Sequence, residues 1–326
     1  MISSVLTVAP LRISFVGGGT DISYFYKKYG GAVISCAINK YVYVHIKRHD
    51  ESFGEKYRIS YSKVEHPKSI SEIKNNIVRE SLRFLNFNEP VHISILSDLP
   101  AGTGLGSSSS FTVALLLGLH ALRGEIPSKA QLANEACQIE IDILGQPIGK
   151  QDQFASAFGG LNFIEFFKTG KVVVSPINIS QKYKKELFRN SALLWTGKRR
   201  DARDILESQY KLKLNNESRL KSILELTGNF RLLLEAESTI NKVREIISDS
   251  WKIKRNLSPL IENKFISQQI KKLEKIHGIG IKLLGAGGGG FIYLLKEPSA
   301  EFETPGFKMI QPDIDEEGAR VISRFN

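Results

Sequence analysis

Cysteine is nearly absent: the 326 residues hold two, Cys36 and Cys137. Two thiols build neither a disulfide scaffold nor a cysteine-based zinc site, and such a chain fits a reducing cytoplasm. Cys36 lies in an apolar strand and Cys137 in a helix, and both read as small buried hydrophobes. Long apolar stretches are missing too. The longest, Phe111 to Leu122, contains a glycine and a histidine and falls short of the roughly 18 residues of a membrane span. No basic segment precedes the first apolar stretch, MISSVLTVAPLRISF, which argues against a secretory leader. The six histidines lack metal-ligand spacing; His45 and His49 stand four apart, but in a strand-like run. No G-x-S-x-G elbow of a serine hydrolase occurs. Internal repeats and low-complexity segments are absent as well.

Acidic residues are in deficit. The net charge is +11 and the isoelectric point about 9.4, which favours an anionic partner. Nucleic acid would want basic blocks interleaved with aromatics, and none exists. The densest basic stretch runs from Lys182 to Arg203, with eight Lys or Arg against Glu186 and Asp201. A phosphorylated small molecule or a nucleotide accounts for the charge equally well.

The chain is 42% hydrophobic and 24% charged, enough for a sizeable core. At roughly 100–200 residues per domain it divides in two. Strands are expected at 8–17, at 32–48 as one or two, and at 91–96. An apolar helix follows DLPAGTGLGSSSS. Ser128 and Gln131 form a capping box for a helix running to about Leu144, and QDQFASAF opens another helix after Pro147 and Gly149. LNFIEFF and VVVSPINI form a strand pair, and ALLWT is a short buried strand. From Asp201 to about Lys275 the pattern is mainly helical, before IKLL, a glycine run and FIYLL. The class is α+β, with units 1–180 and 181–326.

The strongest motif is Pro100-Ala-Gly102-Thr-Gly104-Leu105-Gly106-Ser107-Ser108-Ser109-Ser110. Glycines let backbone approach a ligand closely. A helix start offers unpaired N–H groups and a positive dipole end, together an anion site suited to phosphate. The bland alternative is a flexible linker, and the apolar helix directly after the serines speaks against it. The loop is no Walker A, because no Lys-Ser/Thr closes it. The run Gly285-Ala286-Gly287-Gly288-Gly289-Gly290 fits G-x-G-x-x-G in spacing only, since Phe-Ile-Tyr-Leu-Leu follows as a strand where a dinucleotide fold needs a helix. It is a tight turn or a loop against a ligand's phosphates. Gly17-Gly18-Gly19-Thr20-Asp21, after a strand bearing Arg12, is weak alone. Ala133, Cys137, Glu140 and Leu144 share one helical stripe, so Glu140 points inward, where a carboxylate needs donors or a cation; Mg2+ would serve, and a solvated face is the alternative. Asp152 sits at a helix start, as a cap or as a functional carboxylate.

In this order the motifs PLRISFVGGGTD (10–21), PAGTGLGSSSS (100–110) and LLGAGGGGF (283–291) resemble the GHMP kinases, a superfamily that includes galactokinase, homoserine kinase, mevalonate kinase and phosphomevalonate kinase. The resemblance spans nearly the whole chain. AINKYVYV (37–44), QDQF (151–154) and WTGKRRDARDIL (195–206) make it most similar to the sugar-1-kinase branch, and there to the D-glycero-D-manno-heptose 7-phosphate kinases. It implies a ribosomal-protein-S5-like N-terminal domain, a ferredoxin-like C-terminal domain and an active site between them. It implies ATP held by Gly102, Gly104, Leu105, Gly106, Ser107, Ser108 and Ser109, and Mg2+ on Ser108 and Glu140. Asp152 would be the base with Arg12 near it, and Asp21, with Gly18, Gly19 and Thr20, would meet the sugar. Gly287 and Gly288 would meet the substrate too. The basic residues Lys198, Arg199, Arg200 and Arg203 would, by charge, clamp a substrate phosphate, a solvated helix start being the alternative.

Galactokinases carry Gly-Glu-His-Thr-Asp where this chain has Gly17-Gly18-Gly19-Thr20-Asp21. The two lost side chains leave room and exposed N–H groups for a longer, anionic acceptor. Ser109-Ser110 stands where many relatives have Ala-Ala. The expected protein is a cytoplasmic monomer or homodimer that binds neither nucleic acid nor membrane and serves bacterial surface-glycan synthesis. A kinase of a free sugar, a non-catalytic sugar and ATP sensor, and a nucleic-acid binder suggested only by charge are the competing readings.

Overall fold

The computed structural model describes residues 2–50, 52, 54–199, 202–298 and 306–326. The chain runs β1 (Ser4–Val16), α1 (Ser23–Tyr29), β2 (Gly31–Arg48), β3 (Tyr57–Ser60), β4 (Val64–Glu65), α2 (Asn76–Phe84), β5 (Val91–Ser97) and α3 (Ser107–Leu122). Next come α4 (Lys129–Cys137), a π-helical segment (Gln138–Ile143), α5 (Gln151–Phe158), β6 (Leu161–Phe166) and β7 (Val172–Pro176). The remainder is α6 (Gln181–Arg189), β8 (Ser191–Trp195), α7 (Ala202–Lys211), α8 (Glu217–Glu235), α9 (Ile240–Lys254), α10 (Lys264–Leu273), β9 (Ile279–Leu283), β10 (Phe291–Lys296), β11 (Lys308–Ile310) and β12 (Arg320–Phe325).

The described residues form two sheets. One is ordered β12-β1-β2-β5-β3-β4, with β6 and β7 continuing from the other end of β2; the second is β11-β8-β10-β9. The α+β class expected from the sequence is present. The apolar run 32–48 is one long strand, and its length lets β2 pair with β5 at one end and β6 at the other. The last strand, β12, pairs with β1, so the stretch 181–326 does not stay with the second sheet.

The core sits between the first sheet and the helices laid on it. Helix α3 is buried from Ser109 to Leu122, which fits its unbroken apolar sequence. Gly118 lets it lie close: a Cβ there would come 2.8 Å from the Ile46 side chain. Thr7 ties the helix down by donating to the Ala114 carbonyl at 2.8 Å. Between the two sheets, Phe15 packs edge-on to Tyr293 and tilted against Phe230, at 5.3 and 6.0 Å. Ser128 caps α4 as expected by accepting from the Gln131 N–H at 3.1 Å. The Gln131 side chain turns instead to Glu135, so the reciprocal half of the capping box is not made. The expected helix to Leu144 changes at Gln138 into the π-helical segment. No helix among the described residues is long and apolar enough to cross a membrane.

Buried His120 on α3 bonds Glu125 and, at 2.8 Å, Glu135. Burial draws its pKa down, but those carboxylates more than reverse this and leave it raised above the usual 6.5. A raised folded-state value gives stability that is complete below the unfolded pKa and lost as pH rises through the folded one. Urea denaturation is therefore expected to show His120→Gln least stable relative to the parent near about pH 6, the gap closing toward about pH 9. A gap constant across that range would show that the ring carries no extra charge in the fold.

Candidate active site

The three glycine motifs meet at one cleft of about 210 Å3 between the sheets. At its floor, Arg12 of β1 is almost fully buried. Its Nε and Nη2 donate to the two carboxylate oxygens of Asp152, each at 2.7 Å, the forked geometry that only arginine offers. Nη1 donates to the Gly104 carbonyl at 2.7 Å, and the Arg12 backbone N–H to that of Leu105 at 3.0 Å. One residue thus holds both the first turn of α5 and the loop 102–106. Gln151 supports the pair, accepting from Ser14 at 2.8 Å and donating to Asp152 at 2.9 Å.

Gly106 is left-handed, at φ +77°, and directly precedes α3. A side chain there would be strained and would press on Asp152 at 3.2 Å. The first N–H groups of α3 have no intrahelical partner, and Gly106 supplies no side-chain cap. Ser107, Ser108 and Ser109 line the cleft at this point, a site shaped for an anion.

Glu140 lies in the π-helical segment and is fully buried. Ser108 donates to one of its oxygens at 2.9 Å and Gln153 to the other at 2.7 Å. Burial pushes its pKa up to about 7 despite these donors. A buried carboxylate beside a hydroxyl, both facing the cleft, is the hard oxygen set that Mg2+ takes together with phosphate oxygens and water. No cluster of three or more His, Cys, Asp or Glu suited to a metal occurs among the described residues, so a metal here depends on ligand oxygens. Asp21 accepts from the Gly19 N–H at 2.9 Å and the Gln151 N–H at 3.2 Å. Burial, and further on the charge of Asp152, raise its pKa; the Gly19 bond opposes them.

A GHMP kinases N terminal domain matches residues 73–160. The D-glycero-alpha-D-manno-heptose 7-phosphate kinase of Campylobacter jejuni is 30% identical over 322 residues, covering 92% of this chain and 91% of that protein. The chain belongs to the GHMP kinase family. A galactokinase of Thermosipho africanus is 28% identical over 325 residues, with 90% of each chain covered. Among solved structures, a D-glycero-D-manno-heptose 1-phosphate kinase from Bacteroides thetaiotaomicron superimposes with TM-score 0.81 at 22% identity, covering 99% of this chain and all of that one; at that identity it speaks for the fold. The protein is accordingly a phosphotransferase of a family of ATP-dependent kinases.

The kinase brings most of the residues expected from sequence into the cleft: Arg12, Gly18, Gly19, Asp21, Gly102, Gly104, Gly106, Ser107, Ser108, Ser109, Glu140 and Asp152. Others it turns to scaffolding. Leu105 is buried, with its carbonyl on Arg12. Thr20 is buried and bonds the carbonyls of Gly17 and Ala32. Gly287 lies against Ile261; Gly288 donates to the Ile261 carbonyl and accepts from Asn263. The described members of the expected phosphate clamp do not line the cleft. Lys198 lies over the Phe265 ring at 4.3 Å, Arg199 faces solvent and exposed Arg203 pairs with Glu207 at 2.9 Å. Arg200 falls outside the described residues. Helix α7 instead presents Ala202, Leu206 and Gln209 to the cleft.

Sequence reasoning missed Ser14, Gln151, Gln153, Gln209 and Lys254. Lys254 had a signal: it continues the stripe Val243, Ile247, Trp251 of α9, where every other position is apolar and buried. A second cavity, of about 340 Å3, adjoins the first through Ile22, Gln146, Ile148 and Leu206, with Tyr24 and Tyr210 edge to face at 5.7 Å on its wall.

Gly149 gives the geometry its sharpest check. A Cβ there would fall 1.9 Å from the Asp21 carboxylate and 2.9 Å from the Asp21 carbonyl. Gly149→Ala is expected to expel the carboxylate from its N–H donors and to cost about 1–3 kcal/mol by overpacking, read from denaturation midpoints. An unchanged midpoint would show that Asp21 is not fixed in this way.

Proposed function

We propose that this kinase moves the terminal phosphoryl group of ATP to the anomeric hydroxyl of a sugar phosphate, D-glycero-D-manno-heptose 7-phosphate, giving the 1,7-bisphosphate. The observation carrying the chemistry is the Asp152 carboxylate, held in Arg12's fork in the same cleft as the open N-terminus of α3. The relative at 30% identity and the missing side chain at Gly18 support the acceptor; the room and open N–H expected at Gly19 are absent, since Leu220 fills the space and Asp21 takes the N–H. Gly18 leaves space beside the Ser14 hydroxyl, whereas a side chain at Gly19 would press on Leu220 at 3.1 Å. The role extends to a cytoplasmic enzyme in the synthesis of nucleotide-activated heptose for a bacterial surface glycan.

Phosphoryl transfer asks mainly for positioning and charge neutralisation. Asp152 takes the proton of the acceptor hydroxyl as its oxygen bonds the γ-phosphorus and the bond to ADP breaks. Arg12 fixes the direction in which that carboxylate points. The backbone of 102–106 and the first N–H groups of α3 receive the phosphate oxygens. Ser108 and Glu140 would hold Mg2+, which supplies neutralisation of phosphate charge when bound. Asp21 accepts from acceptor hydroxyls while its own N–H donors keep it aimed.

Two observations favour a second reading, a free-sugar acceptor: Lys198, Arg199 and Arg203 do not line the cleft, and a galactokinase is a relative of almost equal coverage. The deciding experiment is ADP release with Mg-ATP over heptose 7-phosphate, mannose 6-phosphate, galactose, fucose and N-acetylgalactosamine, with phosphorus NMR of the product. Turnover of the phosphorylated heptose at its anomeric carbon is the expected result; turnover of a free sugar alone would replace the substrate and keep the chemistry.

Two variants check the roles. Asp152→Asn is expected to lower kcat about 10²–10⁴-fold with ATP binding retained; near-full turnover would remove the base from Asp152. Glu140→Gln is expected to raise the Mg2+ concentration for half-maximal rate by about tenfold, as loss of one charged oxygen from a weakly held ion. An unmoved Mg2+ dependence would place the ion elsewhere.

A further inference from the structure

The fold treats the two oxygens of the Asp152 carboxylate differently. A carboxylate accepts at about four lone-pair sites, shared equally between its oxygens. Arg12 takes one on each, through Nε to Oδ1 and Nη2 to Oδ2. The Gln151 side chain takes a second on Oδ1, donating from Nε2 at 2.9 Å. Among the described residues no other group donates to this carboxylate, so Oδ1 is filled while Oδ2 keeps a site open. Oδ2 is also the oxygen that faces Gly106, where a Cβ would stand 3.2 Å from it. That places the open site beside the uncapped N-terminus of α3.

Gln151 is held so that it can do nothing else. It is almost fully buried. A carboxylate only accepts, so the amide must meet Asp152 with its nitrogen and turn Oε1 the other way. There Ser14, equally buried, donates to Oε1 at 2.8 Å. Arg12 and Ser14 stand two apart on β1 and therefore share a face of the strand. That face grips Asp152 and Gln151 side by side. The Gln151 backbone N–H donates to Asp21 at 3.2 Å, so one residue touches both the base and the carboxylate proposed to meet the acceptor's hydroxyls.

We propose that Gln151, latched by Ser14, is a positioning residue that closes Oδ1 and leaves Oδ2 as the oxygen that takes the acceptor's proton, and that this selects one anomer of the sugar. The proton passes from the anomeric oxygen to Oδ2. The electron pair of that oxygen forms the bond to the γ-phosphorus, and the pair of the broken bond leaves with ADP. The two anomers point their hydroxyl in different directions from the same carbon, so a base open at one oxygen serves one of them. The proposal rests on the kinase reading of the cleft and deepens it.

The test compares the parent protein with Gln151→Met, which keeps length without an N–H, and with Gln151→Glu, which keeps an acceptor for Ser14 but offers Asp152 no donor. Steady-state kinetics give kcat and separate KM values for ATP and acceptor. Phosphorus and proton NMR give the anomeric composition of the product, which cannot mutarotate once phosphorylated. The parent is expected to form a single anomer. Both variants are expected to lose about tenfold or more in kcat, as misdirection of a reacting group does, with the KM of ATP unmoved and the other anomer appearing in the product. A merely structural role would lower melting temperature and kcat and leave the product a single anomer, and would overturn the proposal. So would kcat within about twofold of the parent in either variant, or a parent that phosphorylates both anomers. If Gln151→Met does not fold, Gln151→Glu and Ser14→Ala are judged by the same outcomes. A parent that turns over no sugar at its anomeric carbon is a failure of the proposed reaction and takes the proposal with it. That result is distinct from a parent that makes one anomer beside variants that match it.

Discussion

The active cleft depends on the forked ion pair between Arg12 and Asp152. It joins residues 140 positions apart in sequence, and it holds the loop 102–106 through the third bond, to Gly104. A lysine would reach one oxygen with a point charge and would leave the carboxylate free to rotate. The fork fixes the carboxylate's plane, and with it the direction from which a hydroxyl can approach. Gly106 is constrained by the same pair, since any side chain there would fall against Asp152 and Arg12. The loop's glycines are thus set by the protein's own buried charge as much as by a ligand.

Around this pair stand two carboxyl groups that the fold itself destabilises as charges. Glu140 is buried with its pKa pushed up to about 7. Asp21 is raised by burial and by its neighbour Asp152. Both are fully supplied with N–H or O–H donors, yet donors alone do not restore what water would give. An apolar residue at either place would serve stability better. In the proposed reaction a cation and a polyhydroxylated ligand would complete the set, and electrostatically costly groups of this kind concentrate at functional sites.

Sequence made the scaffold legible wherever one short-range pattern decided the structure. The unbroken apolar run after Ser110 required a buried helix, and α3 is one. The inward stripe Ala133, Cys137, Glu140 found Glu140's burial even though the segment is π-helical there, because the extra residue per turn falls at the end of the stripe. Position in the cleft was less legible. Lys198, Arg199 and Arg203 look like a clamp by composition, but charge density says nothing about which way a helix start faces, and the apolar Leu206 decides it by taking the inward side. Thr20, Leu105, Gly287 and Gly288 belong to the glycine motifs, yet within a motif some residues fold the loop and others line the cleft; hydrogen-bond partners tell them apart, and sequence does not. The return of β12 to β1 was invisible because an edge strand of alternating polarity carries no address.

That return bears on how the halves of the cleft stay in register. The first sheet carries Arg12, the loop after β1 and, through α3 and α5, the loop 102–106 and Asp152. The second carries the glycine run between β9 and β10. Three kinds of contact lock them: Lys282 donates to the carbonyls at the end of β1, Phe291 donates to the Thr103 carbonyl at 3.0 Å, and Phe15, Phe230 and Tyr293 pack between. Gly290 has no side chain because Thr103 backbone occupies that space, with its oxygen 2.3 Å from where a Cβ would stand. The glycine run is therefore in part a docking surface for the loop 102–106, where backbone meets backbone. With β12 also threading from the second half back onto β1, neither wall can shift far without breaking paired strands. A transfer reaction that works by positioning needs that rigidity in the floor.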